Sequence, residues 1–297
     1  MPQTATTDDV KNFLTPNYVD LASLPPPKIV EELDFEKIFQ ELLADFKSRR
    51  PEYDALLESD PAIAALQCAA YREVLLRQKI NEAAKANMLA YAADADLDNL
   101  AAFYGIERQE NEQDERLRYR TQLALEGLTT AGSEKAYLFH ALTADQRVKS
   151  ASVQSPAEGK VLISILSNQG DGAADAELIK AVADYVGKED KRPLTDNVIV
   201  RSAQIVPFAI HAKIYVFPGP SVSITTEQYT ANLRRYVDRQ HNIGAMVALS
   251  GIFDALHAEG VQKVQLIKPD ADIAATKSQA AFCTDINLEV VVVNDTN

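Results

Sequence analysis

An α+β fold is predicted, with a helical N-terminal half that carries a long bundle-forming helix, followed by one or two small α+β domains. Three observations predict it. Apolar residues recur with a helical period over residues 35–46. Over residues 61–93 the chain has no glycine and no proline after Pro61. Beyond Arg147 the apolar positions become short β-branched runs with two-residue alternation, the pattern of strands. Helices first and a strand–helix mixture afterwards is an α+β order.

Residues 1–28 are expected to form an extended arm. Thr4, Thr6, Thr7, Asp8 and Asp9 show no period, and Pro25, Pro26 and Pro27 favour polyproline geometry. Such a segment builds no core of its own and is suited to lie along a partner. A helix follows, with Phe35, Ile38, Phe39, Leu42, Leu43 and Phe46 on one stripe. Asp34 and Glu36 sit at its positive end, Lys47, Arg49 and Arg50 at its negative end, and Pro51 stops it.

Asp60 is placed as the cap of the next helix, with Pro61 in the first turn, where a missing N–H costs nothing. At 1.5 Å per residue, residues 61–93 would make a rod of roughly 50 Å. Alanines along it (Ala62, Ala64, Ala65, Ala69, Ala70, Ala83, Ala84) let neighbouring backbones come close. Its large apolar side chains, among them Ile63, Leu66, Val74, Leu75, Leu76 and Ile80, point in more than one direction. Broad apolar cover of this kind belongs to a bundle of several helices, from one chain or from several.

A short helix with Asp96 as cap and Gly105 as terminator comes next, then helices over residues 112–126 and from Ser133 to about residue 144. Val148, Val153, Val161, Ile163, Ile165, Val198, Val200, Ile205, Ile210, Ile214 and Val216 mark strands. A helix capped by Asp175 and stopped by Gly187 lies among them. Helices over 226–240 and from Ser250, with strands over 261–267 and 288–293, complete the chain. The expected domains are the arm 1–28, a helical bundle-forming domain 29–145, an α+β domain 146–217 and a C-terminal α+β domain 218–297. A weak duplication of the last two is one way to account for them.

Composition narrows the function. Of 297 residues, 46% are hydrophobic and 25% charged, with a formal net charge of −13. An acidic surface repels phosphate, whereas nucleic-acid binding draws its affinity from Lys and Arg, so no direct nucleic-acid role is expected. No apolar run reaches the ~18 residues of a membrane-spanning helix, so no membrane insertion is expected either. The polar, acidic start is unlike a signal peptide. Cys68 and Cys283 form neither a disulfide framework nor a zinc site, and both are expected to be buried small hydrophobes.

The search for chemistry finds no catalytic, cofactor or metal site. Asp94, Asp96 and Asp98 open like a calcium loop, but Asn99 and Gly105 stand where that loop needs glycine and glutamate. Gly170-Asp171-Gly172 lacks the rest of any phosphate loop and suits a strand-to-helix turn. His140, His211, His241 and His257 have no metal-ligand spacing.

Several blocks are similar to the baseplate J-like family, wedge proteins of contractile phage tails and R-type bacteriocins. They are Val30-Glu31-Glu32-Leu33-Asp34-Phe35-Glu36 after the proline-rich lead, then Ala70-Tyr71-Arg72-Glu73, Arg77-Gln78, Asn81-Glu82-Ala83-Ala84 and Met88-Leu89-Ala90-Tyr91 running into Asp96-Leu97-Asp98. Glu126-Gly127-Leu128, Ala131-Gly132-Ser133, Phe217-Pro218-Gly219-Pro220, Leu256-His257 with Glu259-Gly260-Val261, and Ser278-Gln279-Ala280 with Phe282-Cys283-Thr284 follow in order. Each block is weak alone, and their joint order carries the resemblance, over roughly residues 20 to 285.

The resemblance implies a structural, non-enzymatic baseplate wedge subunit without a cofactor. It would pair with a second copy of itself and a smaller wedge partner through a helical bundle. Its C-terminal domains would link wedges into a ring around the tail tube, beside neighbouring wedge and sheath-initiating baseplate proteins, and rearrange on contraction. Assembly in the bacterial cytoplasm and a place in the tail particle follow. Ile63, Leu66, Val74 and Ile80 are the expected bundle contacts. A cytoplasmic adaptor using the long helix is the alternative; an α+β hydrolase is a further one, disfavoured by the lack of tryptophan and of a nucleophile motif.

Overall fold

The computed structural model describes residues 21, 24, 33–53, 57–129, 132–217, 222–257 and 261–293. The expected arm lies outside the described residues except for Leu21 and Leu24. The chain divides into two compact units, and the described residues fall within Val19–Thr121 and Gln122–Asn297.

The first unit is helical. Helix α1 (Phe35–Arg49) begins where Asp34 accepts a hydrogen bond from the Lys37 N–H (3.2 Å), with Glu36 in its first turn and Lys47 and Arg49 in its last. Helix α2 (Pro61–Ala86) carries its proline in the first turn as expected. Ile38 and Phe39 of α1 close on Ile63 and Ala70 of α2, and Leu42, Leu43, Leu66 and Val74 border this core. Burying such side chains contributes roughly 1.5–3 kcal/mol each.

Helix α2 is shorter than the expected span of residues 61–93. Its 26 residues make about 39 Å at 1.5 Å per residue. It stops at Asn87, whose side-chain amide donates to the Ala83 carbonyl (2.8 Å). The Arg118 guanidinium then donates to the carbonyls of Leu89 (2.8 Å) and Ala92 (2.6 Å). Those two contacts satisfy carbonyls of the turn without a continuing helix. The stop therefore comes from a residue far along the chain.

Helix α3 (Asp94–Phe103) contains Asp96 in its first turn; Ala93 occupies the cap position, so Asp96 is not the cap that the sequence suggested. Gly105 ends it as expected, at φ +73°, with the N–H groups of Gly105 and Ile106 donating to Ala102 and Ala101. Helix α4 (Asp114–Gly127) opens in this unit and ends in the next.

The second unit is α+β. Helix α5 (Glu134–Ala144), capped by Ser133, is buried at seven consecutive positions, 136–142. A helix covered on every side belongs at the centre of a fold. A Cβ on Gly127 would collide with the Phe139 ring, so glycine lets α4 and α5 meet. Strands β1 (Val148–Ala157) and β2 (Lys160–Ser167) form an antiparallel hairpin. Gly170 and Gly172, both at positive φ, turn the chain into α6 (Ala176–Val186), capped by Asp175, and β3 (Asn197–Ser202) returns parallel to β2.

A second sheet has β4 (Gln204–Val216) at its centre. Helix α7 (Val222–Gln240), the short β5 (Met246–Val247) and α8 (Leu249–Leu256) precede β6 (Val261–Lys268). The short β7 (Ile273–Ala274) pairs with β5, and β8 (Gln279–Val292) closes the order β6-β4-β8. Ile210, Ala212, Ile214 and Val216 of β4 pack on Tyr229, Leu233, Tyr236 and Val237 of α7 and on Ile252 and Leu256 of α8. Both central strands, β2 and β4, have one antiparallel and one parallel neighbour, but the strand orders differ. The expected boundary at 217/218 runs between β4 and the two strands that pair with it.

Candidate interaction surface

Helix α2 has two unlike sides. Ile63, Leu66, Ala70 and Val74, at i, i+3, i+7 and i+11, face α1 and are spent in the chain's own packing. Tyr71 (57% exposed), Leu75 (39%), Leu76 (66%) and Ile80 (65%) project elsewhere, among the exposed small residues Ala65, Ala69 and Ala83. Of the four expected bundle contacts, the structure thus gathers Ile63, Leu66 and Val74 in one internal core and leaves Ile80 on the open side. Tyr71, Leu75 and Leu76 join Ile80 there. The signal for them was present as large apolar residues off the Ile63 stripe. Cys68, expected to be buried, is also exposed on this helix.

Beyond α2, a cluster of charges holds the start of α4. Glu112 is fully buried and accepts from Arg116 Nη1 (2.5 Å), Arg120 Nη1 (2.6 Å) and the Gln109 N–H (2.9 Å). Arg108 bridges Asp98 (2.7 Å) and Asp114 (2.8 Å). The Asp94 N–H, donating to Asp114, and then the Arg108 guanidinium hold the Asp114 carboxyl below its usual range. Glu112, expected to open a helix, instead ties the loop before α4 to α4 itself. Three donors on its carboxylate hold Glu112 as a structural clamp.

Elsewhere, burial pushes the His140 imidazole down to about 4, with Lys191 adding to the effect, and among the described residues its two ring nitrogens have no hydrogen-bond partner. Burial, and then the Asp196 carboxylate at 2.6 Å, push the Tyr137 phenol well above its ordinary range. Among the described residues, no three His, Cys, Asp or Glu side chains are placed to hold a metal ion, and no helix is long and apolar enough to cross a membrane.

Residues 58–114 match the Baseplate J-like N-terminal domain, and residues 129–202 the Baseplate J-like central domain. The chain is 42% identical over 289 residues to baseplate protein J of Escherichia phage P2, across 90% of this chain and 96% of that protein. The chain belongs to the baseplate J-like family. It is a structural baseplate subunit. The J-like N-terminal domain holds α2, α3 and Glu112, while Arg116 and Arg120, which bind Glu112, lie just beyond it. The J-like central domain ends at Ser202, with β3, and the second sheet lies beyond it. A cryo-EM structure of the anti-feeding prophage baseplate is also similar, at 10% identity and a TM-score of 0.43 over 61% of this chain and 43% of that one, too slight a likeness to carry an argument.

Proposed function

We propose that this J-like protein is a wedge subunit of a contractile-tail baseplate, acting mechanically and not as an enzyme. The observation that carries the reading is the open side of α2. Tyr71, Leu75, Leu76 and Ile80 are exposed there, beside the exposed Arg72 and Lys79 and away from the side already satisfied by α1. In water each apolar side chain would gain by burial against further helices, at about 25 cal/mol per Å² of apolar area.

A smaller wedge partner and a second copy of this chain supply those helices. Ile80 contributes directly, while Ile63, Leu66 and Val74 act by seating α1. The α+β half then meets neighbouring wedge and sheath-initiating baseplate proteins around the tail tube. Assembly takes place in the bacterial cytoplasm, before the subunit becomes part of the tail particle. Rearrangement on contraction requires interfaces with two packings of similar free energy.

The test is co-expression of the full chain with the products of adjacent genes. A complex with a smaller partner is expected for the parent chain and not for Leu76→Lys/Ile80→Lys, with circular dichroism unchanged. Undiminished co-purification of that double variant would overturn the reading.

A further inference from the structure

The second sheet has one unprotected edge, and it bears on the reading above that copies of this chain meet one another. Strand β8 pairs with β4 along one side. On its other side the first residues are covered. Ile243 bridges Ala280, the Gly244 N–H donates to the Gln279 carbonyl (2.9 Å), and His241 Nδ1 lies 2.7 Å from the Ala281 carbonyl. Beyond Ala281, among the described residues, no strand pairs with that side.

The opposite border, β6, is blunted by Lys263 and Lys268 and followed by Pro269, devices that discourage edge pairing. Strand β8 has neither lysine nor proline over its 14 residues.

What would cover this edge is written in its side chains. Ile286, Leu288 and Val290 border the core yet are only partly buried, and Val292 is 40% exposed. Asp285 and Glu289 alternate with them on the other face. Each already has a partner on β4, His211 Nε2 at 3.2 Å from Asp285 and Lys213 Nζ at 2.8 Å from Glu289. Past the register shift at Thr284, the ladder with β4 runs unbroken from Asp285 to Val292.

We propose that β8 pairs antiparallel with β8 of a second copy, about a twofold axis at Leu288. In that register Ile286 meets the second copy's Val290, Leu288 meets its own counterpart, Asn287 meets Glu289 and Asp285 meets Val291. Moving the axis to Asn287 sets Asp285 against Glu289, and moving it to Glu289 sets that residue against itself. Like charges directly opposite destabilise a sheet, so of these three the Leu288 register wins. The two sheets become one of six strands, and the half-exposed apolar row is covered by its own repeat. A self-complementary contact of this kind closes after two copies.

Position-specific cross-linking of the full chain tests this, in a Cys68→Ser/Cys283→Ala background. Under mild oxidation Leu288→Cys is expected to give a disulfide-linked dimer, and Ile267→Cys on β6 none. Because Leu288 borders the core, a second pair sits on the solvent face. Asn287→Cys mixed with Glu289→Cys is expected to cross-link as a heterodimer, and neither to do so alone. A monomer throughout, or cross-linking through Ile267→Cys instead, overturns the proposal. Adding Leu76→Lys/Ile80→Lys is expected to leave the β8 cross-link intact, which separates failure of the bundle from failure of the edge.

Discussion

Arg120 donates to Glu112 across 2.6 Å, the guanidinium side chain 3% exposed and the carboxylate side chain wholly buried. Neither ion could occupy its place alone, because an unpaired charge out of water costs several kcal/mol. Glu112→Gln keeps the shape and removes the negative charge between two arginines. It is expected to lower the stability of the helical unit by about 3–5 kcal/mol. Urea unfolding followed by helical circular dichroism checks this, and a loss below about 1 kcal/mol would mean that Glu112 is not the clamp.

His140 supplies a pH dependence. Its folded-state value of about 4 lies below the ordinary 6.5, so between those limits the unfolded chain binds the proton that the folded chain refuses. Stability conferred by a neutral His140 is present above about pH 6.5 and is lost as pH falls toward 4, by at most about 3 kcal/mol. Lys191 and Asp190 are the charged groups acting on it. Thermal melts at pH 7.5 and pH 5 are expected to differ less in His140→Leu than in the parent chain. An unchanged difference would assign the acid sensitivity to another group.

Gly127 is a packing position as well as the last residue of α4. Gly127→Ala forces its new methyl into the Phe139 ring and is expected to cost about 1–3 kcal/mol through overpacking. Phe139→Leu in the same chain is expected to recover part of that loss. Additive losses in the double variant, measured by denaturant midpoint, would show that the two residues do not touch.

Much of the fold was legible because it rests on local rules. Asp34, Ser133 and Asp175 cap helices where their side chains meet free N–H groups, and Gly105 and Gly187 end helices. Strand β8 was seen only over residues 288–293. Its first half, Gln279–Asn287, has little β-branched character and becomes a strand because β4 offers it a ladder. The end of α2 was misplaced because Arg118, not a local breaker, holds the turn that follows.

The candidate surface divides in the same way. The sequence by itself determined that α2 is apolar in more than one direction and that its blocks resemble the baseplate J-like family, because composition and order are properties of the chain. Which apolar residues are free was decided only by tertiary structure. Ile63, Leu66 and Val74 belong to the same helical pattern as Leu76 and Ile80, and only the docking of α1 distinguishes a side already buried from one still open. The buried Glu112 was invisible for the same reason, since a carboxylate among surface acids is singled out only when folding brings two arginines to it.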